Sequence, residues 1–196
     1  MVGHGLQRMS RRRFLRKAGL GAVAVGSLPA VAGTLASPGW ADENQTHFHF
    51  DCQVLGPTTP DGVKHFLAMA GCGKFGSSEV EGHGSFLHFD AASPVPRHII
   101  GSGTWKAKRL TSFQPFGDPY GVFQAGIAHL EIDLVELVPS SAVVSAALRI
   151  VCNIGPAGPA SNTGLPESIV LNADGLTFDN PVAGLTVFTI AVEERD

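Results

Sequence analysis

From His47 onward the chain alternates apolar and polar residues with a period of two, and this restricts it more than any other feature. In His47-Phe48-His49-Phe50-Asp51-Cys52-Gln53-Val54 one face carries Phe48, Phe50, Cys52 and Val54, the other His47, His49, Asp51 and Gln53. Successive side chains of an extended strand point to opposite sides, so this is a strand with one buried face. Gly56-Pro57-Thr58-Thr59-Pro60-Asp61-Gly62 is dense in turn residues, and 63–71 reads as the returning arm of a hairpin. If that hairpin is simple, Cys52 lies opposite Phe66. The same alternation marks strands near 78–90, 98–113, 121–137, 143–154, 167–173 and 185–193. Gly117-Asp118-Pro119, Pro139-Ser140-Ser141 and Gly155-Pro156-Ala157-Gly158-Pro159 break the pattern, and no segment sustains a helical period. The expected class is all-β: an antiparallel barrel of about eight strands, with a β-sandwich as the alternative.

Charge divides the chain in two. Arg8, Arg11, Arg12, Arg13, Arg16 and Lys17 precede every acidic residue. From Asp42 onward seventeen acids face eight Lys and Arg, a formal charge of −9, against −3 for the whole chain. Nucleic-acid binding draws much of its affinity from cations set against phosphates, so a domain this acidic is not expected to bind nucleic acid. Residues 1–41 read as a leader and linker, and 42–196 as a single domain long enough to bury one core.

Ser10-Arg11-Arg12-Arg13-Phe14-Leu15-Arg16 resembles the twin-arginine export consensus S-R-R-x-F-L-K, with Arg16 where Lys is usual. Ser10, Arg11, Arg12, Phe14 and Leu15 carry the likeness, and an uncharged Ala-, Gly- and Val-rich stretch follows from Ala18 to Ala36. The resemblance implies recognition by the twin-arginine translocase, folding before export, and a periplasmic or extracellular location. Small-x-small sites at Ala30-Val31-Ala32 and Gly39-Trp40-Ala41 suit cleavage, and glycines and Pro29 interrupt the stretch, so no permanent membrane anchor is expected.

Gly71-Cys72-Gly73-Lys74-Phe75 and Gly101-Ser102-Gly103-Thr104-Trp105 set glycine pairs before an aromatic, where the bulges and bends of a small barrel fall. Around 71–90 this resembles the allene oxide cyclase and dirigent type of barrel. Gly82-His83-Gly84-Ser85-Phe86-Leu87-His88-Phe89-Asp90, Gly103-Thr104-Trp105-Lys106-Ala107-Lys108-Arg109 and Val151-Cys152-Asn153-Ile154-Gly155 are similar to small twin-arginine-exported bacterial proteins without an assigned activity.

Residues two apart on a strand share a face, so His47, His49 and Asp51 can direct two imidazoles and a carboxylate at one divalent metal ion. His129, Glu131 and Asp133 form a second such row. Solvated sheet faces carry the same residue types without any ligand. His88 shares a face with Phe86 and Asp90 and reads as a hydrogen-bonded structural histidine, while His83 with Asp90 is an alternative acid–base pair. Lys106 and Lys108 are expected on one face and Trp105, Ala107 and Arg109 on the other. Phe113, Phe116, Tyr120 and Phe123 could rim a barrel mouth or anchor a loop. Cys52, Cys72 and Cys152 leave an odd thiol, and Cys52 and Cys152 read as core.

Two functions follow as expectations, and the residues leave open whether the protein is an enzyme. One is a non-catalytic barrel holding a small apolar or amphipathic molecule without a cofactor, in an interior lined by Phe, Leu and Val. The other is a metal-dependent or barrel-type isomerase or cyclase using His47, His49 and Asp51. Neither reading defines an oligomeric state.

Overall fold

The computed structural model describes residues 45–76, 79–118, 120–139, 141–154 and 164–190. The export motif, both cleavage sites and the boundary at 41 lie outside the described residues. Nine strands follow in chain order: β1 (Thr46–Thr58), β2 (Lys64–Phe75), β3 (Val80–Asp90), β4 (Ile99–Gly117), β5 (Ala125–Val138), β6 (Ala142–Cys152), β7 (Ser168–Ala173), β8 (Leu176–Phe178) and β9 (Asn180–Ile190). They form one antiparallel sheet in the order β8-β7-β6-β5-β4-β3-β2-β1-β9. The sheet curls until β9, paired with β1, also meets the far side. Gln124 N donates to Phe188 O at 2.9 Å, Ile190 N donates to Val122 O at 3.1 Å, and Phe123 bridges Thr189. The result is a nearly closed barrel, and one continuous sheet takes the place of the two that a sandwich needs.

The extra strand is β8. It has three residues and follows a two-residue turn, Asp174-Gly175, in which both residues have positive φ (47° and 76°). Asp-Gly is the residue pair such a hairpin turn favours, but three residues are too few for alternation to register.

Along β1 burial alternates residue by residue, with Phe48, Phe50, Cys52 and Val54 inside. The hairpin register departs from the simple reading: Phe66 faces Leu55, and Cys52 faces Met69. Pairing continues past an irregularity between Leu55 and Thr58, so Gly56 and Pro57 belong to the strand and the turn itself is shorter.

A column of aromatic rings runs through the interior, packed among aliphatic side chains such as Ile132, Leu148 and Leu171. Trp105 stacks on Phe50 (centroids 5.6 Å apart, 20° between planes) and on Phe48 (6.5 Å, 23°), and Phe75 continues the column at 6.0 Å from Phe48. Four facing glycines make room for it: Gly71 pairs with Gly84, and Gly73 with Gly82. A Cβ on Gly71 would stand 2.1 Å from Trp105 Cζ2, and one on Gly82 2.7 Å from Phe48 Cζ. Here β2 and β3 stay in regular register, so these glycines clear space for rings instead of bulging the strands. The Gly101–Gly103 region does coincide with register shifts in both ladders of β4. Each large side chain buried in the column contributes about 1.5–3 kcal/mol by its removal from water.

Candidate functional site

On the outer face of β1, alternation sends His47, His49 and Asp51 to solvent in one row. Their cross-strand neighbours are Lys74 and Thr189 for His47, Cys72 and Val187 for His49, and Ala70 and Leu185 for Asp51. The row therefore lies on open wall, with a lysine beside its first histidine. Among the described residues no three His, Cys, Asp or Glu side chains converge in a way that could hold a metal ion.

The two carboxylates of the second row are each paired with a cation. Arg109 donates to both carboxylate oxygens of Glu131, through Nε at 3.2 Å and through Nη2. Lys108 Nζ lies 3.2 Å from Asp133, which also accepts from Ser145 Oγ at 3.0 Å. Arg109's hydrogen bond holds the Glu131 carboxyl below the usual carboxylate range. Arg109 reaches the outer wall through a bulge that skips Lys108 between the pairs Ala107–Ile132 and Arg109–Glu131. Strict alternation would have turned it toward Trp105; the extra residue puts Lys108 and Arg109 outside together.

His88 does carry a structural hydrogen bond, to a residue that the sequence reading had not singled out. His65 Nδ1 and His88 Nε2 are 2.7 Å apart, and Phe178 of β8 sets its ring edge-on to His88 at 5.2 Å. Burial, then the neighbouring His65, pushes His88 down to about 4. The pair is diagonal in the β2–β3 ladder, where Leu67 faces His88 and His65 faces Asp90, so a long-range register was required to find it. His83 projects outward opposite Cys72 and Lys106, and Asp90 accepts from Lys64 N (3.0 Å) and Ala92 N (2.9 Å). No His83–Asp90 pair forms. Phe113 anchors inward, its ring 4.8 Å from Phe75, whereas Tyr120 is exposed.

The thiols are free. Cys52 and Cys152 are buried and Cys72 is exposed. Burial pushes both inner thiols up to about 11. Cys152 Sγ donates to Thr186 O at 3.4 Å, an environment for a filler and not for a thiolate nucleophile.

A groove of about 460 Å³ opens on the outer wall of β1, β2 and β3, near the β1–β2 turn. Its floor is a row of apolar side chains across three strands, since Leu55 pairs with Phe66 and Phe66 with Phe89. The two rings stack at 4.6 Å with 25° between planes, and Val182 of β9 extends the floor. Lys64 and Arg97 supply positive charge at its edge, with the Arg97 guanidinium 5.9 Å from the Phe89 centroid. Neither cation takes part in an ion pair among the described residues.

The loop 91–98 that carries Arg97 is pinned. Asp90 N donates to His98 O (2.9 Å), Ala91 N to Lys64 O (2.8 Å), and His98 N to Ser93 Oγ (2.8 Å). Arg97 Nη1 itself donates to Ala91 O and to Ser93 O. Backbone N–H donors, Ala92's first, hold the Asp90 carboxyl below its ordinary range and keep it an anion. Sequence reading did not identify the groove, although a signal existed: Phe66 and Phe89 fall at outward positions, where alternation calls for polar residues.

Compared with protein-family models, with curated proteins and with solved structures, the chain matches none.

Proposed function

We propose that the barrel is a non-catalytic binding protein for a small amphipathic molecule, held in the outer groove of β1, β2 and β3. The observation that carries this reading is the apolar row Leu55–Phe66–Phe89 flanked by Lys64 and Arg97. On a domain of formal charge −9, two cations beside a stacked aromatic floor favour a ligand with an apolar body and an anionic end. Stacked rings offer their faces to the apolar body, and binding sites of this kind combine an apolar lining with a few placed polar groups. Stacked rings of Phe48, Phe50 and Trp105 occupy part of the interior, which favours the wall over the interior as the place for the ligand.

Native mass spectrometry of protein purified from its own host, followed by solvent extraction, tests for such a molecule directly. Dodecanoate serves as the defined probe: its titration should perturb the NMR signals of the Phe66 and Phe89 rings in a saturable way. Phe89→Ala and Lys64→Gln should each weaken it by about tenfold, near 1.4 kcal/mol. No co-purifying molecule, together with no saturable response at these rings, would end the proposal.

A further inference from the structure

On the wall formed by β4 to β7, a separate groove of about 210 Å³ is bordered by Thr111, His129, Arg149 and Asn172. Pairing sets the outer residues in a line, with Ser112 beside His129, His129 beside Arg149, and Arg149 beside Val170. Arg149 Nε is buried without a hydrogen-bond partner, and none of the ion pairs among the described residues includes Arg149. A buried polar group left unpaired costs about 1–3 kcal/mol, more when charged.

The carboxylate that borders the groove, Glu131, is held by Arg109. What remains is a set of donors. Asn172 Oδ1 already accepts from Thr177 Oγ1 at 2.8 Å, so its NH2 group is the part free to donate, and Thr111 Oγ1 donates to His129 O at 3.0 Å.

We propose that this groove is a binding site for a small oxyanion, a carboxylate or phosphate group, received by the Arg149 guanidinium with His129 and Asn172 as flanking donors. A guanidinium presents a planar fork that matches two oxygens of such a group. At about 30 Å³ per water molecule the space holds about seven waters, enough for the head of a small metabolite.

The groups around His129 are Thr111 and Ser112 from β4, Glu131 on its own strand with its partner Arg109, Arg149 from β6, and Val170 and Asn172 from the β7 side. Arg109 and Glu131 offset each other, leaving Arg149 as the uncompensated charge. Burial first, and then Arg149, push His129 below its ordinary value. An anion seated on Arg149 reverses the second effect, so binding and imidazole protonation reinforce each other and affinity rises as the pH falls.

The test follows the His129 imidazole by NMR pH titration of the full chain. Inorganic phosphate and acetate are added in separate arms, each against sodium chloride at matched ionic strength. The expected result is a saturable upward shift of the His129 midpoint, about 0.5–1 pH unit, in one or both arms. The stronger arm identifies tetrahedral or planar recognition. Arg149→Gln should abolish the saturable shift, and Asn172→Ala should weaken binding severalfold. Midpoints in phosphate and acetate indistinguishable from chloride would overturn the proposal, as would a saturable shift that survives in Arg149→Gln. The wild-type titration decides by itself if Arg149→Gln fails to fold.

Discussion

His88 shows how one side chain couples the fold to pH. Its ordinary value is 6.5, and inside the barrel it is pushed down to about 4 by burial and by His65. Between these values the unfolded chain binds more protons than the folded one, so stability falls as the pH falls through 6.5 toward 4 and is fully retained above 6.5. Allowing for the part of the ring that solvent reaches, the loss is on the order of 2 kcal/mol. Urea midpoints measured at about pH 7.5 and about pH 4.5 should differ accordingly, and His88→Phe should flatten that dependence. Equal slopes in both proteins would place the acid sensitivity elsewhere. The thiols offer a second residue-scale check. With Cys52 and Cys152 buried and pushed up to about 11, iodoacetamide should label Cys72 alone in the native protein, giving one mass adduct until denaturant is added.

Among the elements, β4 is the one whose irregularity sets chemistry on the wall. From Trp105 to Leu110 the inward positions are Trp105, Ala107 and Leu110, which is one residue too many for strict alternation. The bulge at Lys108 absorbs the excess. Deleting Lys108 restores a regular strand with Arg109 still outward, and the expected cost is within about 1 kcal/mol, since only an exposed ion pair is lost. Deleting Lys106 turns Lys108 toward the core, and denaturation should then show a loss of several kcal/mol or no folded protein. Similar costs for the two deletions would contradict the register. The facing glycines of β2 and β3 are equally specific: an Ala at position 84 would bring its Cβ to 2.0 Å from Ala70 O and 2.4 Å from Trp105 Nε1. Gly84→Ala should therefore destabilise the barrel although it adds a residue better suited to most positions.

For the molecule as a whole, closure depends on polar contacts that join β9 and β1 to the opposite part of the sheet. Thr186 is buried, donates through Oγ1 to Val151 O at 2.6 Å, and through its backbone N–H to Glu167 Oε1 at 2.9 Å. Thr46 Oγ1 adds a donation to Gln124 Oε1 at 3.1 Å. Thr186→Val keeps the shape and removes the hydroxyl, leaving Val151 O without that donor at a cost of about 1–3 kcal/mol. Hydrogen exchange should quicken first at Gln124 and Ile190, the N–H groups that close the seam, while the β2–β3 ladder stays protected. Uniform acceleration over all strands would mean that the seam opens only with global unfolding.

The all-β class, the antiparallel hairpins and the inner face of β1 were legible from alternation, because side-chain direction in a strand depends only on the parity of position. Parity also placed His47, His49 and Asp51 together correctly, and foretold the buried Cys52 and Cys152. It has no information about neighbours in space, or about where one extra residue changes the count. The His65–His88 contact, the Leu55–Phe66–Phe89 floor, the Arg109–Glu131 pair and the unpaired Arg149 each depend on cross-strand register, bulges and closure. Those are set by long-range hydrogen bonding and by packing of the ring column, which come into being only when the ribbon has curled back on itself.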